Sequence, residues 1–175
     1  YHVTAFQLAD GKQLWQHDVK NASPQKSSKY VSRAAPSPVV DEEGVICFFE
    51  GGNLVALSHE NEVRWQRNLV EEYGAIEGRH GLGASVEQDA DMAYVWVERS
   101  EDPYVLGIDK KTGDNRWKSP GIGATSWSSP RLVPVGEQSH LVLSAVGSLT
   151  GLDPKNGERL WNLEGISGNS TPTPI

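Results

Sequence analysis

One cysteine among 175 residues leaves no partner for an internal disulfide, so this chain must be held by packing and hydrogen bonds. Cys47 lies inside the apolar run "VICFF", a setting that fits an inert buried thiol rather than a reactive thiolate. No run of 18 apolar residues occurs, so no membrane-spanning helix is expected. Nor is a signal-peptide pattern visible at the N-terminus, which reads instead as a strand. A basic stripe is also missing. The 16 Lys and Arg are interspersed with 23 Asp and Glu for a net charge of −7, which argues against nucleic acid as a partner. No segment sustains an apolar stripe at helical spacing, so almost no helix is expected.

What the chain does have is turns and tryptophan. Its 18 Gly and 10 Pro mark frequent reversals, and 37 % apolar residues suffice for one sizeable core. One phrase recurs four times: "AFQLADGKQLW", "VALSHENEVRW", "GIDKKTGDNRW" and "GLDPKNGERLW", ending at Trp15, Trp65, Trp117 and Trp161. The intervals are 50, 52 and 44 residues, the length of a four-stranded propeller blade. Other segments keep step. "PSPVV", "GASVE" and "SSPRL" each precede a β-rich run ("VICFFE", "MAYVWVE", "HLVLSA"), then "NLVAL", "YVLGID" or "SLTGLD", a turn and the Trp strand. That makes four strand candidates per repeat.

The phrase has physical content of its own. Asp109 and Asp153 end a strand, and each can accept backbone N–H bonds of the following turn. Gly113 and Gly157 supply the positive φ of a tight hairpin. A Trp eight residues after the Asp can cover one sheet and pack on the next, its indole N–H donating to a neighbouring carbonyl. The pattern therefore reads as a fastener between blades formed by Trp15, Trp65, Trp117 and Trp161. It should be weakest at the two worn copies, which carry Gln7 and Ser58 in place of the Asp.

The pattern resembles the tryptophan-docking motif of pyrroloquinoline-quinone (PQQ)-like propeller repeats, with Gly107 and Gly151 at the position of its Ala. That family includes quinoprotein alcohol dehydrogenases and the propeller lipoprotein of the bacterial outer-membrane β-barrel assembly machinery. The resemblance implies an all-β fold, a β-propeller with about four blades represented here. Residues 1–19 would give the last two strands of a first blade, 35–70, 82–119 and 127–164 complete blades, and 170–175 the start of another. Family members have seven or eight blades, so the chain reads as a segment of a larger propeller, or as one that pairs edge to edge with a second copy. The resemblance further implies a bacterial periplasmic or otherwise extracytoplasmic setting.

Three functions stand beside one another: a non-catalytic scaffold or binding module for protein partners, a fragment of a PQQ- and calcium-dependent dehydrogenase, or a sensor or display domain of a longer signalling protein. The dehydrogenases carry adjacent cysteines and a calcium site. This chain has a single cysteine and no dense Asp, Asn or Glu cluster on the corresponding loops, so no catalytic residue, metal or cofactor is expected. Candidate binding residues are Arg79 and His80 in "EEYGAIEGRHGLG", and Trp127, which stands outside the motif register. The polar segment at 20–33 reads as a long solvated connection, and Trp96 as packing between blades. Sequons at Asn21 and Asn169 would matter only in a eukaryotic secretory setting.

Overall fold

The computed structural model describes residues 1–23, 32–76, 82–99, 101–122, 127–166 and 173–174. Four antiparallel sheets follow one another along the chain. The first pairs β1 (His2–Phe6) with β2 (Gln13–Asp18). The second is a meander of β3 (Val39–Asp41), β4 (Gly44–Phe48), β5 (Asn53–Leu57) and β6 (Val63–Asn68). One helical turn, α1 (Leu69–Tyr73), precedes the third sheet: β7 (Glu87–Gln88), β8 (Met92–Val97), β9 (Tyr104–Asp109) and β10 (Asn115–Pro120). The fourth comprises β11 (Arg131–Val135), β12 (Gln138–Ala145), β13 (Ser148–Leu152) and β14 (Arg159–Glu164).

The expectation of almost no helix meets α1, a single turn too short to leave a periodic stripe. Its cause is local. Asn68 caps it, its Oδ1 accepting from the N–H groups of Val70 and Glu71 at 3.1 and 3.3 Å, and Gly74 ends it at φ 88°. The strand expected at 170–175 falls outside the described residues except for Thr173 and Pro174, which are not in a strand.

Side chains alternate across each strand, so every sheet has two faces, and consecutive sheets bury facing sides. Ile46, Phe48, Leu54 and Ala56 of the second sheet pack on Ala93, Val95, Leu106 and Ile108 of the third. The other face of the third sheet, with Tyr94, Trp96, Val105 and Trp117, packs on Leu141, Leu143 and Leu152 of the fourth. Trp96 is fully buried there and its indole N–H donates to the Ile122 carbonyl at 3.1 Å. Tyr1, Val3 and Trp15 cover Cys47, Val55 and Leu57 of the second sheet.

Burial pushes the Cys47 thiol up to about 12, which leaves essentially no thiolate at neutral pH. A thiol reagent such as a disulfide dye should therefore label Cys47 only as fast as the first and second sheets separate, and fully once the chain is denatured. Prompt labelling of the native chain would contradict this packing.

Candidate functional site

The recurring phrase sits at the seams. Trp15 donates its indole N–H to the His59 carbonyl at 2.8 Å, Trp65 to Lys110 at 2.9 Å and Trp117 to Pro154 at 2.8 Å. Each acceptor is the residue just after the Ser or Asp that opens the next sheet's turn. Gly113 and Gly157 lie under the rings, at φ 79° and 75°. A Cβ on Gly113 would come within 2.6 Å of the Trp65 ring, and one on Gly157 within 2.4 Å of the Trp117 ring. Trp117 and Trp161 also lie across Gly107 and Gly151 of their own sheets, their cross-strand partners. Trp161 has no following turn among the described residues, and its N–H donates to His140 Nδ1 at 2.9 Å.

The turns are built as the sequence suggests, with one variation. Asp109 Oδ1 accepts from the N–H groups of Lys111 and Thr112 at 2.8 and 3.2 Å, and Asp153 Oδ1 from Lys155 at 2.8 Å. Where Ser58 replaces the Asp, its Oγ accepts from Glu60 and Glu62 at 3.1 and 3.2 Å, and Asn61 takes the left-handed position at φ 71°. The worn turn thus keeps its indole bond. What differs at that seam is burial: Trp15 is half-buried, whereas Trp65 and Trp117 are buried. The Gln7 turn meets no Trp among the described residues.

The seam between the second and third sheets carries ions as well. Lys110 Nζ, buried, lies 2.6 Å from Asp41 Oδ2 and donates to the Asp89 carbonyl at 2.9 Å. Arg64 pairs with Glu43, and Arg67 donates across the seam to Gly113 O and Asn115 Oδ1. Burial pushes the Asp41 carboxyl up, but the Lys110 bond and the N–H groups of Glu43 and Gly44 more than offset this and lower its pKa. The Arg116 guanidinium, with the Lys111 and Thr112 N–H groups, holds Asp109 below its usual value. Stability from these two carboxylates is therefore present above the unfolded pKa of about 3.9 and lost as pH falls through it toward the folded values. Glu50 works the other way, since burial raises its carboxyl against a smaller lowering by Arg33. The urea midpoint should fall between about pH 5 and pH 3, and fall more steeply in Glu50→Gln, where the opposing protonation is gone. A midpoint that rises on acidification would contradict the assignment.

The loops that follow each fourth strand emerge at the same end of the sheets as those between second and third strands. Trp127 stands there with φ 61°, a left-handed conformation that strains a bulky residue by about 1–3 kcal/mol. Its backbone N–H donates to Glu98 Oε2 at 3.3 Å, and its indole lies against Gly83. Glu98 is fully buried. Beside it, Arg99 donates to the carbonyls of Tyr73, Gly74 and Ala75 at 2.7, 3.3 and 3.3 Å and lies over the Tyr104 ring. Arg99 so fixes the loop after α1 to the third sheet. Sequence reasoning missed it; the available signal was a charged pair, Glu98-Arg99, directly after an all-apolar strand. Arg79 and His80 lie outside the described residues, so Trp127 alone of the three binding candidates can be placed.

Polar clefts open between sheets. One of about 600 Å³ is lined by Asp18, Lys20, Asn53, Arg67, Asn68 and Glu71, another of about 400 Å³ by Asp41, Glu43, Asp89, Asp91, Lys110 and Arg116. Among the described residues no three His, Cys, Asp or Glu side chains converge to hold a metal ion.

Comparison with known proteins gives the following. A family model described as outer membrane protein assembly factor BamB matches residues 2–173. No curated protein sequence matches the chain. Among solved structures, the quinohemoprotein alcohol dehydrogenase of Comamonas testosteroni is 14 % identical with a TM-score of 0.67 over 97–98 % of this chain's length, as is that of Pseudomonas putida HK5 at 13 % and 0.66. BamB of Moraxella catarrhalis is 16 % identical over 81 % of this chain, with a TM-score of 0.52. These likenesses make the fold a partial β-propeller. The chain spans about a third of the two dehydrogenases, 32 % and 34 %, and 38 % of that BamB.

Proposed function

The chain belongs to the family of the outer membrane protein assembly factor BamB, and on that premise we propose that it is a non-catalytic propeller module that binds protein partners in an extracytoplasmic, periplasmic setting. The family match over residues 2–173 carries this reading. The disposition of the residues supports it. The recurring Asp, Gly and Trp side chains are engaged in the seams, which leaves the differing loops at one end of the sheets to meet a partner. We read the indole bonds of Trp15, Trp65 and Trp117 as docking interactions between blades, and Trp127 as the described member of the binding surface.

The test is a photo-crosslinking residue in place of Trp127 in the full-length protein, with the same residue at exposed Glu137, in the β11–β12 turn at the opposite end of its sheet, as control. Crosslinks to an outer-membrane assembly component from position 127 and not from 137 are expected. Equal crosslinking from both positions, or none from 127, would sink the reading. Saturable uptake of PQQ with calcium, seen as a new absorbance band, would replace it with the dehydrogenase fragment.

A further inference from the structure

The seams share one register but are not filled alike. Between the second and third sheets, the space beside β6 and β10 is taken by Tyr73, the last residue of α1. Its ring lies 5.1 Å from that of Tyr104, centroid to centroid, and 4.6 Å from Lys118 Nζ. Its hydroxyl accepts from Asn115 Nδ2 at 2.7 Å and from Arg67 Nη2 at 3.3 Å, which ties α1 to both sheets.

Cross-strand pairing puts the third and fourth sheets in residue-by-residue correspondence. Tyr104 pairs with Pro120, Leu106 with Lys118 and Ile108 with Asn115; Ser148 pairs with Glu164, Thr150 with Asn162 and Leu152 with Arg159. The neighbours of Tyr73 on the third sheet, Tyr104, Lys118 and Asn115, therefore correspond to Ser148, Asn162 and Arg159 on the fourth. All three line a cleft of about 430 Å³, against Gly121 and Ile122 at the end of the third sheet. That volume lies in the range of ligand pockets. The connection leaving the third sheet, "GIGATSW" at 121–127, has no aromatic residue before Trp127, and Trp127 lies against Gly83 instead. In the first seam the residue corresponding to Tyr104, Asn53, is already engaged: it accepts from the Ala22 N–H at 2.8 Å and donates to the Lys20 carbonyl at 2.9 Å.

We propose that the cleft between the third and fourth sheets receives a tyrosine side chain of a protein partner, in the position that Tyr73 holds one seam earlier. Thr150 Oγ1 donates to Asn162 Oδ1 at 2.7 Å and Asn162 Nδ2 to Glu164 Oε1 at 3.2 Å, so one wall is a bonded chain of side chains. Arg159 is exposed, donates to the Gly121 carbonyl at 3.2 Å, and pairs with no carboxylate among the described residues. Its remaining N–H groups supply the donor that Asn115 gives Tyr73. Val146, on the lining and 41 % exposed, supplies apolar contact for the ring. Both walls belong to sheets whose four strands are described. The proposal rests on the protein-binding reading above and adds the side chain that is recognised.

The probe is N-acetyl-tyrosinamide, added to the full-length protein with isotope-labelled valine methyl groups and followed by NMR. The Val146 methyl shifts should saturate, and N-acetyl-phenylalaninamide should bind about fivefold more weakly, the loss of one hydrogen bond. Arg159→Ala, at an exposed position, should bind the two amides alike. No saturable shift at Val146, equal binding of the amides by the unsubstituted protein, or selectivity retained in Arg159→Ala overturns the proposal. So does tighter binding of the N-acetyl amide of glutamate, which would assign the cleft to an acidic side chain. Crosslinking from position 127 is a separate measurement, so the two readings fail apart: a cleft indifferent to tyrosine leaves those crosslinks standing, and their absence removes the partner while tyrosine still binds.

Discussion

Trp117→Ala is expected to lower the unfolding free energy by about 4 kcal/mol, the upper range for a large buried aromatic. Trp117 is buried, lies over Gly157 of the following turn and has Tyr94 5.9 Å away, centroid to centroid. Removing it opens a cavity at the seam and leaves the Pro154 carbonyl without its 2.8 Å donor. Gly157→Ala attacks the same contact from the other side, placing a Cβ 2.4 Å from Trp117 Cε3 while forcing alanine to φ 75°. The two substitutions should be strongly non-additive. Once the ring is gone the clash vanishes, and Gly157→Ala then costs only its backbone strain, about 1 kcal/mol. Urea denaturation of the four chains measures the coupling; additive losses would mean that ring and turn are energetically separate. Trp15→Ala should cost about half as much as Trp117→Ala, because Trp15 is only half-buried.

Asp41→Ala is expected to cost about 3 kcal/mol, the low end for breaking a buried ion pair, since Lys110 is buried but Asp41 keeps partial contact with water. The loss arises mainly from the stranded ammonium, which retains only the Asp89 carbonyl. Nothing in the fastening of the tryptophans requires that charge, because Trp65 bonds to the backbone carbonyl of Lys110 and the equivalent acceptors elsewhere are His59 and Pro154. Asp41→Val combined with Lys110→Met should therefore recover much of what Asp41→Ala loses. A double variant less stable than Asp41→Ala would show that the pair stabilises the seam beyond avoiding an unpaired charge.

The architecture was legible because its signal is periodic. Four tryptophans, the Asp-to-Trp spacing of the two clear copies and the glycine of three of the four turns are local patterns repeated along the chain, and local patterns survive in a sequence. Three features were not legible, each for a physical reason. Asn61 takes the left-handed position that Gly113 and Gly157 fill elsewhere, an exchange open to Asn because its short amide tolerates αL. The single turn of α1 rests on one cap and one glycine rather than on a stripe. The N–H groups of Ser37, Ser85 and Ser129 bond hydroxyls 44 to 48 residues on, so "PSPVV", "GASVE" and "SSPRL" show the serines without showing what they bond. Of the candidate binding site, Trp127 alone could be placed, and its neighbours Glu98 and Arg99 emerged only in three dimensions.

The seams also have a direction. The indoles of Trp15, Trp65 and Trp117 donate forward to the next sheet, and the N–H groups of Ser37, Ser85 and Ser129 donate forward to the hydroxyls of Ser85, Ser129 and Thr173. Each sheet interacts only with its neighbours, so the stack behaves as a one-dimensional array of similar modules, although other bonds, such as Val86 N–H to the Ser37 carbonyl and Leu132 N–H to Glu87 Oε2, run back across the seams. Gaining or losing one whole repeat keeps each tryptophan facing the turn of the next sheet, whereas an insertion of half a repeat separates one tryptophan from the turn carbonyl it bonds. Length variation in proteins built this way should therefore come in whole repeats.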